Sequence, residues 1–354
     1  MSLVEEVLRE QQGKAGPFSD KDIGTTMLAP GYRVDLRNPQ GRELDKFIKA
    51  NQVSDWSILT WREVGKPYQV NMMSRDRKAW EKEHQQEMPL KTSWAYFNRH
   101  FHQWFVKDVP EELQKTRQEV KTYLSRFKVK QVVQALGDVM RLSLWNYVHR
   151  VEDAIWDPRG KRALFEGLDV QKPRILFLGA AEGYEAMQLY AMYPGGEVVL
   201  VDYDEFCKTD RFGQFPETYP FLGTNPATGS PKVWYKHEMN IEYLVEDIRN
   251  LPFGKEFDIV ISVGLLEHFP DEYKPMVLEW HRQFLKPGGY ALMTTPRDQV
   301  RSRLFYMIMA DVMNHTYREL MTIRQMGLYV YEGGFNILRH GFIKAHNGIV
   351  AQPR

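Results

Sequence analysis

From Arg174 onward, short apolar runs alternate with helical patterns. Residues 174–178 and 198–202 are two such runs. Near-continuous apolar strands are typical of a parallel sheet that is covered on both faces. Between these two runs lie a turn of small residues, 179–183, and a helical pattern. The pattern therefore predicts a strand, a turn, a helix and a second strand that ends in Asp202.

Five further strands are predicted after Asp202. Counted from Arg174, the third strand ends in Asp247. A helix at 273–284, which Pro287 and two glycines end, separates the fourth strand from the fifth. A mainly helical stretch at 296–326 precedes the last two strands, which are close enough to pair antiparallel. The five strands are residues 242–247, 257–264, 290–295, 335–344 and 346–352. The fold class is therefore α/β, with a seven-stranded sheet.

The turn at 179–183 has the composition of a nucleotide-binding loop. Gly179, Ala180, Ala181 and Gly183 let the backbone approach a ligand, and the following helix begins with free N–H groups aimed at the same place. Asp202 lies about twenty residues further on, where a carboxylate can accept hydrogen bonds from ribose hydroxyls. A glycine turn alone does not say which nucleotide binds.

Three downstream motifs narrow the choice. They are Asp247-Ile-Arg-Asn-Leu-Pro-Phe253, then Phe257-Asp258 with Leu266-Glu-His268, and finally Leu285-Lys-Pro-Gly-Gly289. In this order they resemble the class I S-adenosylmethionine-dependent methyltransferases, and the resemblance spans residues 174–352. It implies a Rossmann-like methyltransferase sheet, S-adenosylmethionine as cofactor, and methyl transfer.

The resemblance also implies which residues bind the cofactor. Asp202 is expected to hold the ribose, and Asp247 with Ile248 to frame the adenine. The full predicted set is Gly179, Ala180, Ala181, Gly183, Asp202, Tyr203, Asp247, Ile248, Val263 and Gly264.

The first loop departs from the family pattern at two positions. Phe177 stands where the family usually has an acid, and Ala181 replaces the middle glycine. Glu182 and Glu185 are carboxylates within reach of the cofactor's amino group, although acids at a helix start are also favoured by the helix dipole. These departures leave a non-catalytic cofactor-binding or scaffold protein as the alternative. A dehydrogenase is disfavoured, since its pyrophosphate requires the complete glycine pattern.

His268 is the candidate catalytic residue, because it follows the fourth strand at the edge where open α/β sheets bind ligands. Its alternative role is to hold the loop. A sulfur or tertiary-amine acceptor would need no base at all. Tyr147, Arg297 and Tyr306 are candidate substrate-binding residues, and the arginine is suited to an acidic group.

Residues 1–165 are predicted to form a mainly helical domain, and residues 166–354 the methyltransferase domain. The helical part is rich in aromatic residues and is expected to cap the core, roof the active site, or mediate a homodimer contact. Residues 13–40 are turn-rich and are expected to form a surface loop. Residues 206–239 hold too many prolines and glycines for one helix, and this aromatic loop either encloses the cofactor or forms an oligomer contact.

Composition excludes several classes of function. With 47 basic and 46 acidic residues the net charge is +1, so no nucleic-acid partner is expected. One cysteine excludes a disulfide framework within the chain, and the histidine spacing predicts no metal site. No apolar run has membrane length and no signal-peptide pattern is present, so a cytoplasmic protein without a membrane partner is expected. A small-molecule methyl acceptor fits these limits best.

Overall fold

The computed structural model describes residues 53–71, 74–105, 130–131, 158–215, 217, 219, 221–343 and 345–354, together with two short strands near the N-terminus. The helices predicted between residues 106 and 157 lie almost wholly outside the described residues. Two strands, β1 (Thr25–Leu28) and β2 (Tyr32–Asp35), pair as an antiparallel hairpin within the stretch predicted to be a loop. That prediction was wrong for these eight residues.

The remaining strands are β3 (Tyr68–Gln69), β4 (Arg174–Leu178), β5 (Glu197–Asp202), β6 (Phe221–Thr224), β7 (Pro231–Trp234), β8 (Ile241–Val245), β9 (Phe257–Val263), β10 (Leu285–Pro296), β11 (Glu319–Leu320), β12 (Phe335–Ile343) and β13 (His346–Pro353). The α-helices are α1 (Trp61–Val64), α2 (Arg75–His84), α3 (Leu90–Phe105), α4 (Pro158–Phe165), α5 (Tyr184–Met192), α6 (Lys274–Phe284), α7 (Val300–Ile308), α8 (Ala310–Met313) and α9 (Ile323–Glu332).

A seven-stranded sheet forms the centre of the molecule. Its order is β12-β13-β10-β9-β4-β5-β8. Strands β4, β5, β8, β9 and β10 are parallel, and β13 enters antiparallel between β10 and β12. The predicted Rossmann-like sheet, with its antiparallel last pair, is confirmed.

The sheet separates two apolar layers because alternate residues of each strand face opposite sides. Ile175 and Phe177 of β4 pack with α5, whereas Leu176 and Leu178 pack on the side of α6 and α9. Both sets are almost fully buried. This double coverage explains why the central strands are apolar along most of their length.

In its described residues, which leave out 216, 218 and 220, the segment 206–239 is not a regular α-helix, as predicted. It contains a π-helical turn at Cys207–Phe212 and the antiparallel pair β6–β7. Tyr219 and Phe221 pack on Tyr184 of α5, and the hydroxyls of Tyr184 and Tyr219 lie 2.8 Å apart. The segment is therefore part of the core on this side of the sheet.

Gly223 of β6 lies so close to α5 that a side chain has no room. A Cβ atom there would come within 1.7 Å of the carbonyl oxygen of Ala191. We therefore expect Gly223→Ala to lower the free energy of unfolding by about 1–3 kcal/mol, the range found for overpacked sites. Gly254→Ala is the matched control, since a Cβ at Gly254 meets nothing within 4 Å. Denaturant titration should separate the variants, and equal midpoints would contradict this packing.

Described residues between 53 and 105 pack directly on elements that follow residue 166. Strand β3 pairs antiparallel with β11, and the Val70 N–H donates to the Arg318 carbonyl at 2.9 Å. Trp61 packs on Tyr329 of α9, with ring centroids 4.3 Å apart. The two predicted domains therefore share a core at this point, and a boundary at residue 165 stays a prediction.

Candidate active site

One large cavity lies at the carboxyl ends of the central parallel strands. The order reverses at β4, whose neighbours are β5 on one side and β9 on the other. Such a switch point leaves a crevice in which open α/β sheets bind ligands. The cavity has a volume of about 970 Å³, and helix α3 contributes to its lining together with the strand ends.

The small-residue turn between β4 and α5 forms one wall of the cavity. Gly183, with φ of 75°, is the N-terminal cap of α5, and a Cβ there would lie 2.3 Å from Leu200 Cδ1. Only glycine meets both demands. Ala181 also adopts a left-handed conformation, with φ of 49°, and its carbonyl accepts a 2.7 Å hydrogen bond from the Tyr243 hydroxyl. The alanine that replaces the family glycine is therefore held in the conformation that glycine favours.

Asp202 fixes this turn from the end of β5. Its Oδ2 accepts from the Ala181 N–H at 3.1 Å, and its Oδ1 accepts from the Asp204 N–H at 3.2 Å. Each oxygen keeps a lone pair for a further donor, as a ribose diol would require. Burial raises the pKa of Asp202 above its usual value, while the two backbone hydrogen bonds oppose that shift.

Asp247 occupies the corresponding place after β8. Its carboxylate accepts from the Arg249 backbone N–H at 2.9 Å and pairs with the Arg249 guanidinium. The hydrogen bonds from Arg249 lower the pKa of Asp247, so this carboxylate is ionised at neutral pH. Asp247 and Ile248 both line the cavity.

Nine of the ten residues predicted to bind the cofactor line this cavity. Gly183 is the exception, and its part is to let α5 pack against β5. The structure thus brings the predicted set together, while direct contact with a cofactor stays a prediction.

Two buried ion pairs stand beside the position where the family has an acid. Phe177 itself is buried in the core below the turn. Glu182 Oε2 lies 2.5 Å from Arg211 Nη2, and Glu185 pairs with Lys161. Arg211 also donates to Asn98 of α3 at 2.9 Å. Glu182, Glu185 and Arg211 all line the cavity. The end of β4 has no carboxylate, but Glu185 of α5 and Glu182, which precedes the cap of this helix, bring two carboxylates to the cavity.

The predicted cofactor-binding residues form one half of the cavity, called the cofactor half below. His268, which follows β9, lies in the other half with Tyr306, Arg318 and the aromatic residues of α3, and this part is called the acceptor half. The Nδ1 of His268 is 2.7 Å from the Tyr317 carbonyl oxygen, which can only accept, so Nδ1 carries the proton. Nε2 is then the basic nitrogen. Burial, with the nearby Arg318 guanidinium, holds the pKa of His268 well below its usual value. The ring is therefore neutral at physiological pH, and the Trp94 ring packs against it at 4.6 Å.

The three residues predicted to bind the substrate lie in different places. Tyr306 is buried and lines the cavity. Arg297 is not among the lining residues, and its guanidinium lies over the Phe342 ring at 3.7 Å. Tyr147 lies outside the described residues. The acidic-group role foreseen for Arg297 has no support from its position.

Sequence reasoning did not single out several other lining residues. Helix α3 contributes Leu90, Lys91, Trp94, Phe97, Asn98 and Phe101. The spacing of Trp94, Phe97 and Phe101 is helical, which was the available signal, but only the structure shows that this face turns toward the sheet. Arg318 and His346 also line the cavity and come from parts of the chain without a motif.

Two further features of the described residues concern metal ions and membranes. Within these residues, no group of three or more histidine, cysteine, aspartate or glutamate side chains is placed to hold a metal ion. Of the helices in the described part of the chain, none has both the length and the apolar character needed to cross a bilayer.

Comparison with solved structures gives distant similarities. Human N-acetylserotonin methyltransferase, solved with S-adenosylmethionine, is 17% identical, with 74% of this chain and 66% of that chain covered and a TM-score of 0.40. An O-methyltransferase family protein from Burkholderia thailandensis is 16% identical, with coverages of 78% and 76% and a TM-score of 0.43. A Bordetella parapertussis protein is 19% identical, with coverages of 55% and 65% and a TM-score of 0.42. The chain thus spans just under two thirds of the length of the human and Bordetella proteins.

Comparison with curated protein sequences finds no significant match. A family model described as a methyltransferase domain matches residues 147–340, which is more than half of the chain. This range contains the glycine turn, Asp202, Asp247 and the Leu-Glu-His motif. The protein therefore belongs to the methyltransferase domain family, which confirms its resemblance to the class I S-adenosylmethionine-dependent methyltransferases.

Proposed function

We propose that this protein transfers the methyl group of S-adenosylmethionine to a small-molecule acceptor by in-line displacement. The observation that carries the proposal is the continuity of the cavity. It joins the turn, Asp202 and Asp247 on one side to His268, Tyr306 and the aromatic face of α3 on the other. Donor and acceptor can thus meet in one continuous space, as methyl transfer requires.

The cofactor half suits the chemistry of an adenosyl group with an amino-acid end. Asp202 offers two carboxylate oxygens to a ribose diol, and Ile248 offers an apolar surface to a base. Glu182 and Arg211 place opposite charges side by side in the lining, as a zwitterionic methionine end would need. S-adenosylmethionine supplies the methyl group on a sulfonium, so the protein need not activate the donor.

The acceptor half is closed by large aromatic side chains. Trp94 and Phe97 of α3 cover His268, and Phe101 continues the same face. Aromatic walls with few polar groups are typical of pockets for small organic ligands. We therefore assign α3 the role of a roof that excludes water and positions the acceptor.

His268 is assigned to proton removal when the acceptor atom carries a proton. The Tyr317 carbonyl fixes the tautomer and leaves the lone pair of Nε2 available. The depressed pKa keeps this nitrogen unprotonated over the whole neutral range. For a sulfur or tertiary-amine acceptor, the same residue would only shape the pocket.

Incubation with deuterated-methyl S-adenosylmethionine and a panel of small organic acceptors tests the proposal. We expect a labelled methylated product, detected by mass spectrometry, and tight binding of S-adenosylhomocysteine by calorimetry. Cofactor binding without turnover on any acceptor would favour the scaffold alternative. Failure to bind S-adenosylhomocysteine would overturn both.

A further inference from the structure

A buried arginine in the acceptor half has hydrogen-bond donors that the protein does not use. Arg318 is only 4% exposed and lines the cavity together with Glu267, which is 0% exposed. Among the described residues, Arg318 Nε and Nη2 and both carboxylate oxygens of Glu267 have no hydrogen-bond partner. Polar atoms buried in this way are costly, so such a group in a ligand cavity points to a ligand that completes it.

Contacts of its backbone and of its guanidinium fix the position of Arg318. Its carbonyl accepts from the Val70 N–H at 2.9 Å, which anchors the backbone. The guanidinium lies over the rings of Tyr306 and Phe97, at 4.9 and 5.4 Å from their centroids. Nη1 donates to the Tyr306 hydroxyl at 3.2 Å. The guanidinium is thus held in place before any ligand arrives.

The unused donors have a specific shape. Nε and Nη2 share one edge of the guanidinium plane, and two parallel N–H groups on that edge match the two oxygens of a carboxylate. Glu267 does not fill this edge, because its Oε1 approaches Nη1 and stays 4.0 Å away. An external carboxylate is the group that would satisfy both donors at once.

Extending the proposed function, on which this inference rests, we propose that the methyl acceptor is an aromatic carboxylic acid whose carboxylate is bound by Arg318. Trp94 and Phe97 flank the same space and supply flat apolar surface for its ring. Arg318 thus acts as a substrate-binding residue that selects the acceptor by charge and shape.

Glu267 makes this site depend on pH. Burial raises the pKa of Glu267 to about 7. The negative charge of Glu319 also raises this pKa, whereas the positive charges of Arg318 and Lys274 lower it. His268, whose Nε2 is 3.8 Å from Oε1, stays neutral and adds no charge. Below about pH 7 Glu267 is protonated and tolerates a second carboxylate. Above that pH it is ionised and repels one, so the acceptor KM should rise, and Glu267→Gln should remove that rise.

The test uses matched pairs of hydroxylated or aminated benzoates and their benzamides, each presented to the full chain with S-adenosylmethionine. We expect the acids to have a KM lower by about tenfold or more, the scale of a charge-assisted pair of hydrogen bonds. Arg318→Met should abolish this preference while S-adenosylhomocysteine still binds. Arg318→Lys, which keeps the charge but not the two-pronged edge, should recover only part of it.

Arg303→Met is the matched control, because Arg303 pairs with Asp298 outside the cavity. It should leave the preference for acids unchanged. Equal use of acids and amides by the unaltered protein, or use of neither, would overturn the inference, as would a preference that survives Arg318→Met. If S-adenosylhomocysteine itself does not bind, the proposed function fails first, and the two failures are thereby distinguished.

Discussion

Replacing Asp202 by alanine is expected to weaken the binding of S-adenosylhomocysteine by about tenfold or more, the scale of a lost charge-assisted hydrogen bond. Two effects add. The ribose loses its carboxylate partner, and the N–H groups of Ala181 and Asp204 lose theirs, so the left-handed turn at Ala181 is no longer held from β5. Isothermal titration calorimetry measures the change directly.

Two companion variants make the result specific. Asp202→Asn keeps the shape and one acceptor oxygen, so its loss of affinity should be smaller than that of alanine. Asp298→Ala removes a carboxylate whose partner Arg303 lies away from the cavity, and should bind as the unaltered chain does. Because burial raises the pKa of Asp202, affinity should also begin to fall at a higher pH on acidification than it would for an exposed aspartate. An Asp202→Ala chain with unaltered affinity would refute the assignment.

The sheet could be predicted from sequence because its strands are covered on both faces. Burial on both sides makes most positions of β4 and β9 apolar, and such runs are visible without any structure. The same holds for the residues at strand ends. Asp202 and Asp247 converge because parallel strands place their carboxyl ends at one edge. One strand bound differs from the prediction: β10 begins at Leu285 and not at residue 290, and its register against β9 shifts between these two positions.

His268 and Tyr306 of the acceptor half were predicted, but Arg318 was not, because it reaches the cavity through contacts that leave no periodic signal. Arg318 is positioned by β11, a strand of two residues, and by β3, about 250 positions earlier in the chain. His268 was found through its motif, but its tautomer depends on the carbonyl of Tyr317, which only the structure places there. Arg297 follows β10 as expected, yet its guanidinium packs on Phe342 and not in the cavity.

The acceptor half contains two neighbouring buried groups, His268 and Glu267, whose pKa values are shifted in opposite directions. A histidine base of ordinary pKa and a rate that falls just below neutrality would have been the natural expectation. In the structure, burial lowers the pKa of His268 well below 6.5 and raises that of Glu267 to about 7. A limb of the pH profile near neutrality therefore belongs to Glu267 and to acceptor binding. The limb that belongs to His268 lies at lower pH.

If His268 is the general base, His268→Ala should lower kcat by about a hundredfold or more, the usual contribution of a positioned base, and leave S-adenosylhomocysteine binding nearly unchanged. The base acts when unprotonated, so the unaltered enzyme should lose kcat as the pH falls through the lowered pKa of His268, and the variant should lack that limb. The pH profiles are recorded at a saturating concentration of acceptor, so that the effect of Glu267 on KM does not change the measured rate.

His268→Asn provides the sharper comparison, because its side-chain amide can still donate to the Tyr317 carbonyl but offers no basic nitrogen. A catalytic His268 predicts that asparagine is as slow as alanine, whereas a residue that only holds the loop predicts that asparagine restores the rate. His237→Ala, at an exposed histidine outside the cavity, should behave as the unaltered chain. If His268→Ala retains both kcat and the acidic limb of the kcat profile, His268 takes no part in the chemical step. The acceptor atom would then be one that carries no proton, such as a sulfur or a tertiary nitrogen, for which alignment in the cavity suffices.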